Sequence, residues 1–575
     1  MDENTRQQYE YWLNDPYFDE ATRQELAAIA DDEKEIEDRF YTSLTFGTGG
    51  LRGVIGAGTN RMNLYTVRKA TQGLANYILK HGNPERGVAI AYDSRRMSPE
   101  FADETALCLN ANGIRAYVSD RLRPVPELSF ALRHFHCTAG VEITASHNPP
   151  EYNGYKVYWE DGAQVTPPHD NGIIEEVRKV ESFDDVKTMS KEDAVAAGLY
   201  ISFGEDVDDA YMEELKKQII HPEVIKEMAD DITIVYTPFH GAGNLPVRRV
   251  LKELGFRKVF VVPEQADPDP DFTTLEYPNP EDPKAFELAL KLARKEHADI
   301  VLATDPDADR LGVYAYDPKT DDYIAFTGNM SGMLIAEYIL KERTATGTMP
   351  ENPAFVSTIV TTNLAPAIAA KYGLYYTEVL TGFKYIGEQI KLFEQSGSHQ
   401  YVFGLEESYG CLAGTHSRDK DGICAVMMLC EAAAWSKKKG ETLWDQMLHI
   451  YDEYGYYKET QFSLTMKGMD GAKQIAALME KLRSDPPAKI GRWDVLEFRD
   501  YQLDLVKKAD GTVGFTGLPK SNVLYFELSD DAWCCARPSG TEPKIKFYMG
   551  VKAGSLEEAA ALNEELTEGV KALIG

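Results

Sequence analysis

One serine lies where a reactive side chain would be exposed, directly after a largely apolar, strand-like run. Val141 to Ala145 read as a strand, and Ser146 is followed by His147, Asn148 and Pro149. A hydroxyl between a strand and a turn is a candidate nucleophile. The serine-hydrolase elbow is excluded, because it needs glycine on both sides of the serine at two-residue spacing. The alternative is an ordinary turn closed by serine and asparagine hydrogen bonds.

Three aspartates at alternate positions point to a bound cation. Asp305, Asp307 and Asp309 fall on one side of an extended segment, where their carboxylates can converge on one hard ion. An EF-hand loop is excluded, because glycine and glutamate should stand where Arg310 and Tyr316 do. A site with few protein ligands suits Mg²⁺. A solvated acidic turn is the alternative.

A third loop, from Gly404 to Gly410, offers carboxylate and hydroxyl groups at the end of another strand-like run. Glu406 and Ser408 could exchange hydrogen bonds with neighbouring hydroxyls of a sugar. A helix N-terminus would explain the same residues equally well.

A fourth loop is basic and rich in hydroxyl groups. Arg537 can bind a phosphate bidentately, Ser539 and Thr541 add hydroxyl donors, and Gly540 lets backbone N–H groups approach an anion. An earlier glycine-rich run holds Arg52 where the third glycine of a dinucleotide-binding fingerprint would stand, so that motif is excluded. The fourth loop is therefore the predicted phosphate site.

Composition and charge narrow the class of protein. The chain has 575 residues, and 92 acidic residues against 61 lysines and arginines give a net charge of −31. This field repels nucleic acid and anionic lipid, so an anionic substrate needs a local cluster of basic groups. No membrane span or secretory signal is visible, and the seven cysteines contain no CxxC pair. We therefore expect reduced thiols, a cytoplasmic protein and no evident protein partner.

A strand–helix–strand pattern occurs three times along the chain. The copies begin at Val88, Ile232 and Phe355, and a glycine stands where each helix should end. A further strand-like run follows each copy and leads into the serine, aspartate or Glu406 loop. Since open α/β sheets bind ligands beyond the carboxyl ends of their strands, three such domains could surround one site.

These patterns predict an α/β protein of four domains around a central cleft, with three similar mixed α/β domains and a smaller α+β C-terminal domain. The predicted limits are 1–205 for a helical lead-in and the domain with the Ser146 loop, 206–318 for the metal-binding domain, 319–450 for the sugar-binding domain and 451–575 for the phosphate-binding domain. Cys534 and Cys535 are adjacent in a strand of the last domain, so we expect their side chains on opposite faces.

The four loops occur in the order seen in the alpha-D-phosphohexomutase superfamily, which this sequence resembles from about Phe46 to Tyr548. The resemblance implies that Ser146 is phosphorylated and lies at the site of one Mg²⁺ ion. The implied metal ligands are Ser146, Asp305, Asp307 and Asp309. The implied substrate-binding residues are Arg310, Lys384, Glu406, Ser408, Arg537, Ser539, Gly540 and Thr541.

Two departures from the superfamily pattern bear on the branch. Pro306 and Ala308 stand where many relatives carry glycine, but the aspartates are kept. Phe383 and Lys384 after Gly382 resemble the phosphoglucomutase and phosphopentomutase branches rather than phosphomannomutases. The resemblance thus implies an isomerase acting on a small sugar phosphate.

The expected reaction interconverts glucose 1-phosphate and glucose 6-phosphate, with glucose 1,6-bisphosphate as intermediate and activator. Ribose and mannose phosphates are the alternative substrates, and a sugar-phosphate-binding regulator on a mutase fold is the non-enzymatic alternative. Ser146, His147, Lys156 and Arg52 are the predicted catalytic residues. Proton transfer by His147 and by Lys156 is equally compatible with the sequence.

Overall fold

The structure is a computed structural model that describes residues 1–47, 49–466, 468–539 and 544–574. The chain divides into two compact units. The first comprises Met1–Gly328, Ile386–Gly397 and Ser408–Leu443, and the second comprises Asn329–Tyr385, Ser398–Glu407 and Trp444–Gly575. No helix in the described ranges is long and apolar enough to cross a membrane.

Helices open the first unit. They are α1 (Glu3–Asn14), α2 (Glu20–Ala28) and α3 (Glu33–Phe40). An aspartate directly before each helix accepts a hydrogen bond from a backbone N–H of its first turn, which caps the helix. Their apolar sides meet in an aromatic cluster in which Trp12 stacks on Phe18, with ring centroids 4.3 Å apart.

The first α/β domain follows these helices. Its elements are β1 (Gly50–Val54), α4 (Leu64–His81), β2 (Val88–Tyr92), α5 (Ser98–Ala111), β3 (Ala116–Ser119), α6 (Val125–His134), β4 (Ala139–Ile143), β5 (Tyr152–Trp159), α7 (His169–Arg178), α8 (Lys191–Ala196) and β6 (Tyr200–Phe203). The strands lie in the order β1-β5-β4-β2-β3-β6. Strands β4, β2, β3 and β6 are parallel, whereas β5 and β1 run antiparallel to their neighbours. The serine loop connects β4 to β5.

The second α/β domain repeats this layout. Its elements are α9 (Glu205–Lys216), α10 (Pro222–Met228), β7 (Thr233–Thr237), α11 (Asn244–Leu254), β8 (Lys258–Val261), α12 (Pro263–Ala266), α13 (Glu287–Glu296), β9 (Ile300–Thr304), β10 (Leu311–Asp317) and β11 (Asp322–Phe326). The strand order is β11-β10-β9-β7-β8, with β9, β7 and β8 parallel. The aspartate loop connects β9 to β10.

The third repeat is shared by the two units. The second unit holds α14 (Gly328–Thr346), β12 (Pro353–Thr358), α15 (Leu364–Lys371), β13 (Tyr375–Val379), the start of α16 (Phe383–Ser396) and β14 (Gln400–Glu406). Strands β13, β12 and β14 are parallel. The first unit holds most of α16, β15 (Gly410–Ala413) and α17 (Gly422–Lys438), and α17 packs against α10 and α11.

The second unit ends in a β-rich domain. Its elements are α18 (Leu443–Tyr454), β16 (Tyr456–Thr465), α19 (Gly468–Ser484), β17 (Lys489–Ile490), β18 (Trp493–Asp500), β19 (Leu505–Lys508), β20 (Val513–Gly514), β21 (Leu524–Leu528), β22 (Trp533–Pro538), β23 (Lys544–Ala553) and α20 (Leu556–Ile574). The antiparallel sheet runs β16-β23-β22-β21-β18-β19-β20. Cys534 packs in the cluster under α19 and α20, whereas Cys535 packs with Tyr501 and Trp533 on the other face, as predicted.

The predicted strand–helix–strand repeat is confirmed in all three copies. In each copy the strand that follows the repeat pairs in parallel with its first strand, so the order is β4-β2-β3, β9-β7-β8 or β14-β12-β13. The predicted glycines Gly113, Gly255 and Gly373 end the helices with φ of 77°, 103° and 69°. A Cβ on any of them would meet no atom within 4 Å. Glycine is therefore required there by its backbone conformation, not by space.

We expect Gly113→Ala to lower the free energy of unfolding by about 1 kcal/mol, because alanine is strained at positive φ. Gly113→Asn should cost clearly less, since asparagine tolerates the left-handed region. Equilibrium urea unfolding of the three proteins measures the difference. Equal losses for the two variants would contradict a purely conformational role.

Candidate active site

The serine loop begins where β4 ends. Ser146 is only 3% exposed and adopts φ of 52°, an uncommon conformation for a residue other than glycine. Its backbone N–H donates to Thr144 Oγ1 at 2.8 Å, which closes the turn. Thr144 Oγ1 in turn donates to Asp93 Oδ2 at 2.6 Å. Side chains at the same edge of the sheet thus fix the backbone that carries the Ser146 hydroxyl.

A buried arginine holds the rest of this loop. The Arg95 guanidinium donates to the carbonyl oxygens of Ser146 at 2.6 Å, Pro149 at 2.8 Å and Tyr152 at 3.0 Å. Its Nε lies 3.3 Å from Asp93 Oδ2, and both side chains are fully buried. This pair was not predicted from the sequence. Its position directly after β2, at the same sheet edge as the serine loop, was the available signal.

The three aspartates form one cluster. Ligand oxygens of Asp305, Asp307 and Asp309 lie within 4.8 Å of one another, and all three side chains are buried. Asp307 Oδ1 and Asp309 Oδ1 have no hydrogen-bond partner among the described residues. Buried carboxylate oxygens without donors are costly, and hard divalent cations prefer oxygen ligands. The donor set therefore fits a cation such as Mg²⁺.

The serine hydroxyl reaches this cluster. Ser146 Oγ donates to Asp305 Oδ2 at 2.9 Å, and Thr144 Oγ1 contacts Asp307 Oδ2 at 3.2 Å. The backbone N–H of Val125 donates to the carbonyl oxygen of Asp307 at 3.0 Å. The structure thus brings the serine loop and the aspartate loop together within the first unit.

Two lysines compensate the carboxylates. Lys156 Nζ lies 2.7 Å from Asp307 Oδ2 and 3.4 Å from Asp309 Oδ2, and Lys420 Nζ lies 3.1 Å from Asp309 Oδ2. Burial and the neighbouring Asp307 and Asp309 carboxylates raise the pKa of Asp305 well above its usual range. Burial opposes ionisation of Asp309, but Lys420, Lys156 and Arg310 outweigh it and lower its pKa. The charge in the cluster is unevenly shared, as expected for close carboxylates.

Lys420 was not predicted from the sequence. A buried network of hydrogen bonds positions the loop that carries it. His416 Nε2 lies 2.7 Å from Asp421 Oδ2, and the Tyr211 hydroxyl donates to the same oxygen at 2.8 Å. The backbone N–H of Gly422, at the start of α17, donates to the carbonyl oxygen of Ala308 at 3.0 Å. The run of charged residues after β15 was the available signal. These contacts lie inside the first unit and tie the Lys420 loop to the aspartate loop.

The remaining candidates of the first unit surround the serine. His147 Nδ1 lies 3.2 Å from Ser146 Oγ, and burial, together with Arg310 and Arg52, lowers the pKa of His147 well below its usual range. Arg52 donates to Asn148 Oδ1 at 3.2 Å. Arg310 Nη1 is paired with a carboxylate of its own domain, that of Glu281, at 2.7 Å. Its backbone N–H donates to Asp305 Oδ1 at 3.1 Å.

The ammonium group of Lys156 is paired with two carboxylates of the aspartate cluster. Burial opposes its protonation, but Asp307 and Asp309 outweigh that effect and raise the pKa of Lys156. It lies on β5 directly opposite Glu142 of β4. Both carboxylate oxygens of Glu142 are buried without a hydrogen-bond partner in the described chain, and burial raises the pKa of Glu142 well above its usual range.

Other predicted residues belong to the second unit. Glu406 ends β14 and is 6% exposed, Lys384 lies in the first turn of α16 with Nζ 5.1 Å from the Tyr385 ring, and Arg537 lies on β22. Ser539 follows β22, and its backbone N–H donates to the carbonyl oxygen of Lys544 at 2.7 Å. Ser408 belongs to the first unit. Gly540 and Thr541 lie outside the described residues.

A second glutamate stands beside Glu406. Glu407 Oε2 accepts a hydrogen bond from Thr358 Oγ1 at 3.2 Å. Burial and the adjacent Glu406 raise the pKa of Glu407 to about 7, although Arg537 opposes the shift. The Arg537 guanidinium also contacts the Tyr548 hydroxyl at 3.5 Å. Carboxylate, hydroxyl and guanidinium groups thus lie close together in this unit.

Comparison with known proteins gives a consistent assignment. Three family models match, described as phosphoglucomutase/phosphomannomutase alpha/beta/alpha domains I, II and III, over residues 43–184, 209–317 and 327–454. A phosphoglucomutase of Staphylococcus aureus is 38% identical over 537 residues, which cover 92% of this chain and 93% of that protein.

Solved structures share the fold. A putative phosphomannomutase from Thermus thermophilus superposes with a TM-score of 0.67 at 22% identity, covering 92% of this chain and 99% of that one. The open form of parafusin, a phosphoglucomutase from Paramecium, also gives 0.67, at 18% identity and with 92% and 96% covered. Three α/β/α domains and a β-rich C-terminal domain are therefore the architecture of this chain.

We expect Mn²⁺, a spectroscopic substitute for Mg²⁺, to bind the wild-type protein and to bind Asp307→Asn at least about tenfold more weakly, because the substitution removes one anionic ligand. Electron paramagnetic resonance of free Mn²⁺ measures both affinities without any substrate. Asp31→Asn, at an exposed aspartate of the N-terminal segment, is the control and should bind like the wild type. Unchanged affinity in Asp307→Asn would contradict a cation site at the cluster.

Proposed function

The chain belongs to the phosphoglucomutase/phosphomannomutase family of the alpha-D-phosphohexomutase superfamily and is a phosphohexomutase, an isomerase; we propose that it interconverts glucose 1-phosphate and glucose 6-phosphate through phosphorylated Ser146. The observation that carries the proposal is the 2.9 Å hydrogen bond from Ser146 Oγ to Asp305, which sets a hydroxyl nucleophile against a cluster of carboxylates suited to a cation. Phosphoryl transfer needs these two features side by side.

In the proposed reaction, the free hydroxyl of the sugar monophosphate attacks the phosphorus on Ser146. The bond from phosphorus to Ser146 Oγ breaks, and the sugar leaves this step as glucose 1,6-bisphosphate. Ser146 Oγ then attacks the other phosphate of that bisphosphate, which regenerates phosphoserine and releases the isomeric monophosphate. Mg²⁺, held by Asp305, Asp307 and Asp309, would supply positive charge to the phosphoryl oxygens and neutralise charge as it develops.

Two groups of the first unit can handle the protons. His147 Nδ1 is 3.2 Å from Ser146 Oγ, and its lowered pKa keeps the imidazole neutral, so it can accept a proton. Lys156 is held as a cation by Asp307 and Asp309, so it can donate a hydrogen bond or proton to an oxygen near the phosphoryl group. We propose His147 as the nearer base and Lys156 as the acid. Arg52, joined to Asn148 of the serine loop, would contact the phosphoryl group.

The remaining predicted residues would bind the rest of the substrate. We propose that Arg537, with the hydroxyls of Ser539 and Thr541 and the backbone of Gly540, grips the phosphate that does not react. Glu406 and Ser408 would read sugar hydroxyls, and Lys384 and Arg310 would add contacts to the substrate. The domain limits 1–205, 206–318, 319–450 and 451–575 are part of this proposal. Each of these ranges contains one of the four loops.

Glucose is the proposed sugar. The similarity to a phosphoglucomutase at 38% identity supports it, as do the paired polar groups of the Glu406 loop. Glucose and mannose differ in the orientation of one hydroxyl, so discrimination depends on a few hydrogen bonds, each worth about 1–3 kcal/mol when a buried partner is left unmet. A pentose lacks one carbon between its ends and would reach the phosphate grip less well.

Ser146→Ala should abolish mutase turnover, because it removes the hydroxyl that lies 2.9 Å from Asp305 Oδ2 and that we propose to carry the phosphoryl group. The wild-type protein should carry the added mass of one phosphoryl group on Ser146, which the variant should lack. Intact-mass and peptide mass spectrometry measure the modification, and a coupled assay measures turnover. The control is Ser202→Ala, at an exposed serine of β6. Full turnover in Ser146→Ala would overturn the phosphoserine mechanism.

Glucose 1-phosphate should give a kcat/KM about tenfold or more above those of mannose 1-phosphate and ribose 1-phosphate, each assayed with its bisphosphate. Glu406→Gln should lower the glucose value strongly, since the amide cannot replace a carboxylate that accepts from sugar hydroxyls. The neighbouring Glu407→Gln is the matched control and should have a smaller effect, because its carboxylate already accepts from Thr358. A higher kcat/KM for ribose 1-phosphate would overturn the choice of glucose.

A further inference from the structure

A cavity of about 390 Å³ lies between the N-terminal helices and the first α/β domain. It is bordered by α1, by the end of α3 and the segment after it, by β1, by α4, by Val177 near the end of α7 and by residues 181–183 after that helix. The described residues that border it include none of the side chains proposed for catalysis or metal binding. Its volume is within the usual range of small-molecule sites, about 300–1,000 Å³. The cavity is therefore separate from the sugar-phosphate site.

An unpaired ammonium group distinguishes this cavity. Lys69 of α4 borders it and forms no hydrogen bond or ion pair with any described residue. Burial lowers the pKa of Lys69, and Glu181 at the cavity border offsets the effect only in part. Lys69 is half-buried, and its ammonium group can pair with an anion that enters the cavity.

Aromatic side chains form the walls. Tyr11, Trp12, Phe40, Tyr41 and Phe183 all border the cavity. Trp12 and Phe40 are at most 1% exposed and lie behind the accessible surface, whereas Tyr11, Tyr41 and Phe183 keep accessible rings. Accessible aromatic rings beside one ammonium group suit a ligand that combines a flat apolar body with an anionic group.

We infer that this cavity binds a small organic carboxylate with an aromatic body. The single positive charge of Lys69 matches a monoanion, and the described border contains no arginine or second lysine that would match a phosphate dianion. Glu181 at the same border disfavours a second negative charge on the ligand. Lys69 disfavours a cationic ligand.

The cavity has a direct structural link to the serine loop. Leu51 of β1 borders the cavity, and the next residue of that strand, Arg52, donates to Asn148 Oδ1. Gly50, on the other side of Leu51, lies opposite Lys156 in the register of β1 and β5. A bound carboxylate would therefore lie beside Leu51, the strand residue that precedes Arg52.

The test uses 3-phenylpropionate as the probe and 3-phenylpropionamide as its uncharged analogue, with binding to the full chain followed by isothermal titration calorimetry. We expect the carboxylate to bind, the amide to bind at least about tenfold more weakly, and Lys69→Met to weaken carboxylate binding by the same factor. Lys69→Arg keeps the charge and should retain binding. Lys34→Met, at an exposed lysine of α3, should bind like the wild type.

Glucose 6-phosphate, added in excess, should leave the affinity for the probe unchanged. The outcome of this test therefore does not depend on the proposed mutase reaction. Displacement of the probe by glucose 6-phosphate would place it in the sugar-phosphate site and overturn the inference. Equal binding by wild type and a folded Lys69→Met variant, or no binding of the carboxylate up to about 10 mM, would overturn it as well.

Discussion

Negative charge buried in the aspartate loop is the constraint on which the rest of the first unit depends. Three carboxylates this close and this deeply buried are unfavourable unless positive charge compensates them. Lys156 comes from β5 of the first domain and Lys420 from the loop after β15, so elements from three regions of the chain meet at the loop that follows β9. The two lysines leave two carboxylate oxygens without donors. These two oxygens can therefore bind one more cation, at the point where a phosphoryl group would be transferred.

The serine loop is held in a fixed position beside the same carboxylates. A hydroxyl at positive φ, whose neighbouring carbonyls are held by Arg95, cannot move far from the carboxylates it contacts. Rigid positioning of a nucleophile reduces the entropic cost of reaching the reactive geometry. The buried Arg95–Asp93 pair is therefore best understood as support for the loop, because neither side chain is exposed to a ligand.

Features that depend on neighbouring residues could be predicted from the sequence. Residues that reach the site only through tertiary packing could not. Strand periodicity, helix-ending glycines and the loops after β4, β9 and β14 were read correctly, since each depends on neighbouring residues. Lys420 and Arg95 were missed because their partners lie far away in sequence, at Asp309 and at the carbonyls after Ser146. The roles of Lys384 and Arg537 stay predictions, since they depend on a bound substrate.

The division of the third repeat between the two units has a consequence for synthesis on the ribosome. The first unit is not complete at Gly328, because it also needs Ile386–Gly397 and Ser408–Leu443. A nascent chain that has emerged only as far as the end of the second domain carries all three aspartates but lacks Lys420 and helix α17, which packs against α10 and α11. Up to that point the aspartates have Lys156 beside them but not Lys420, and α10 and α11 lack the helix that packs against them in the finished protein.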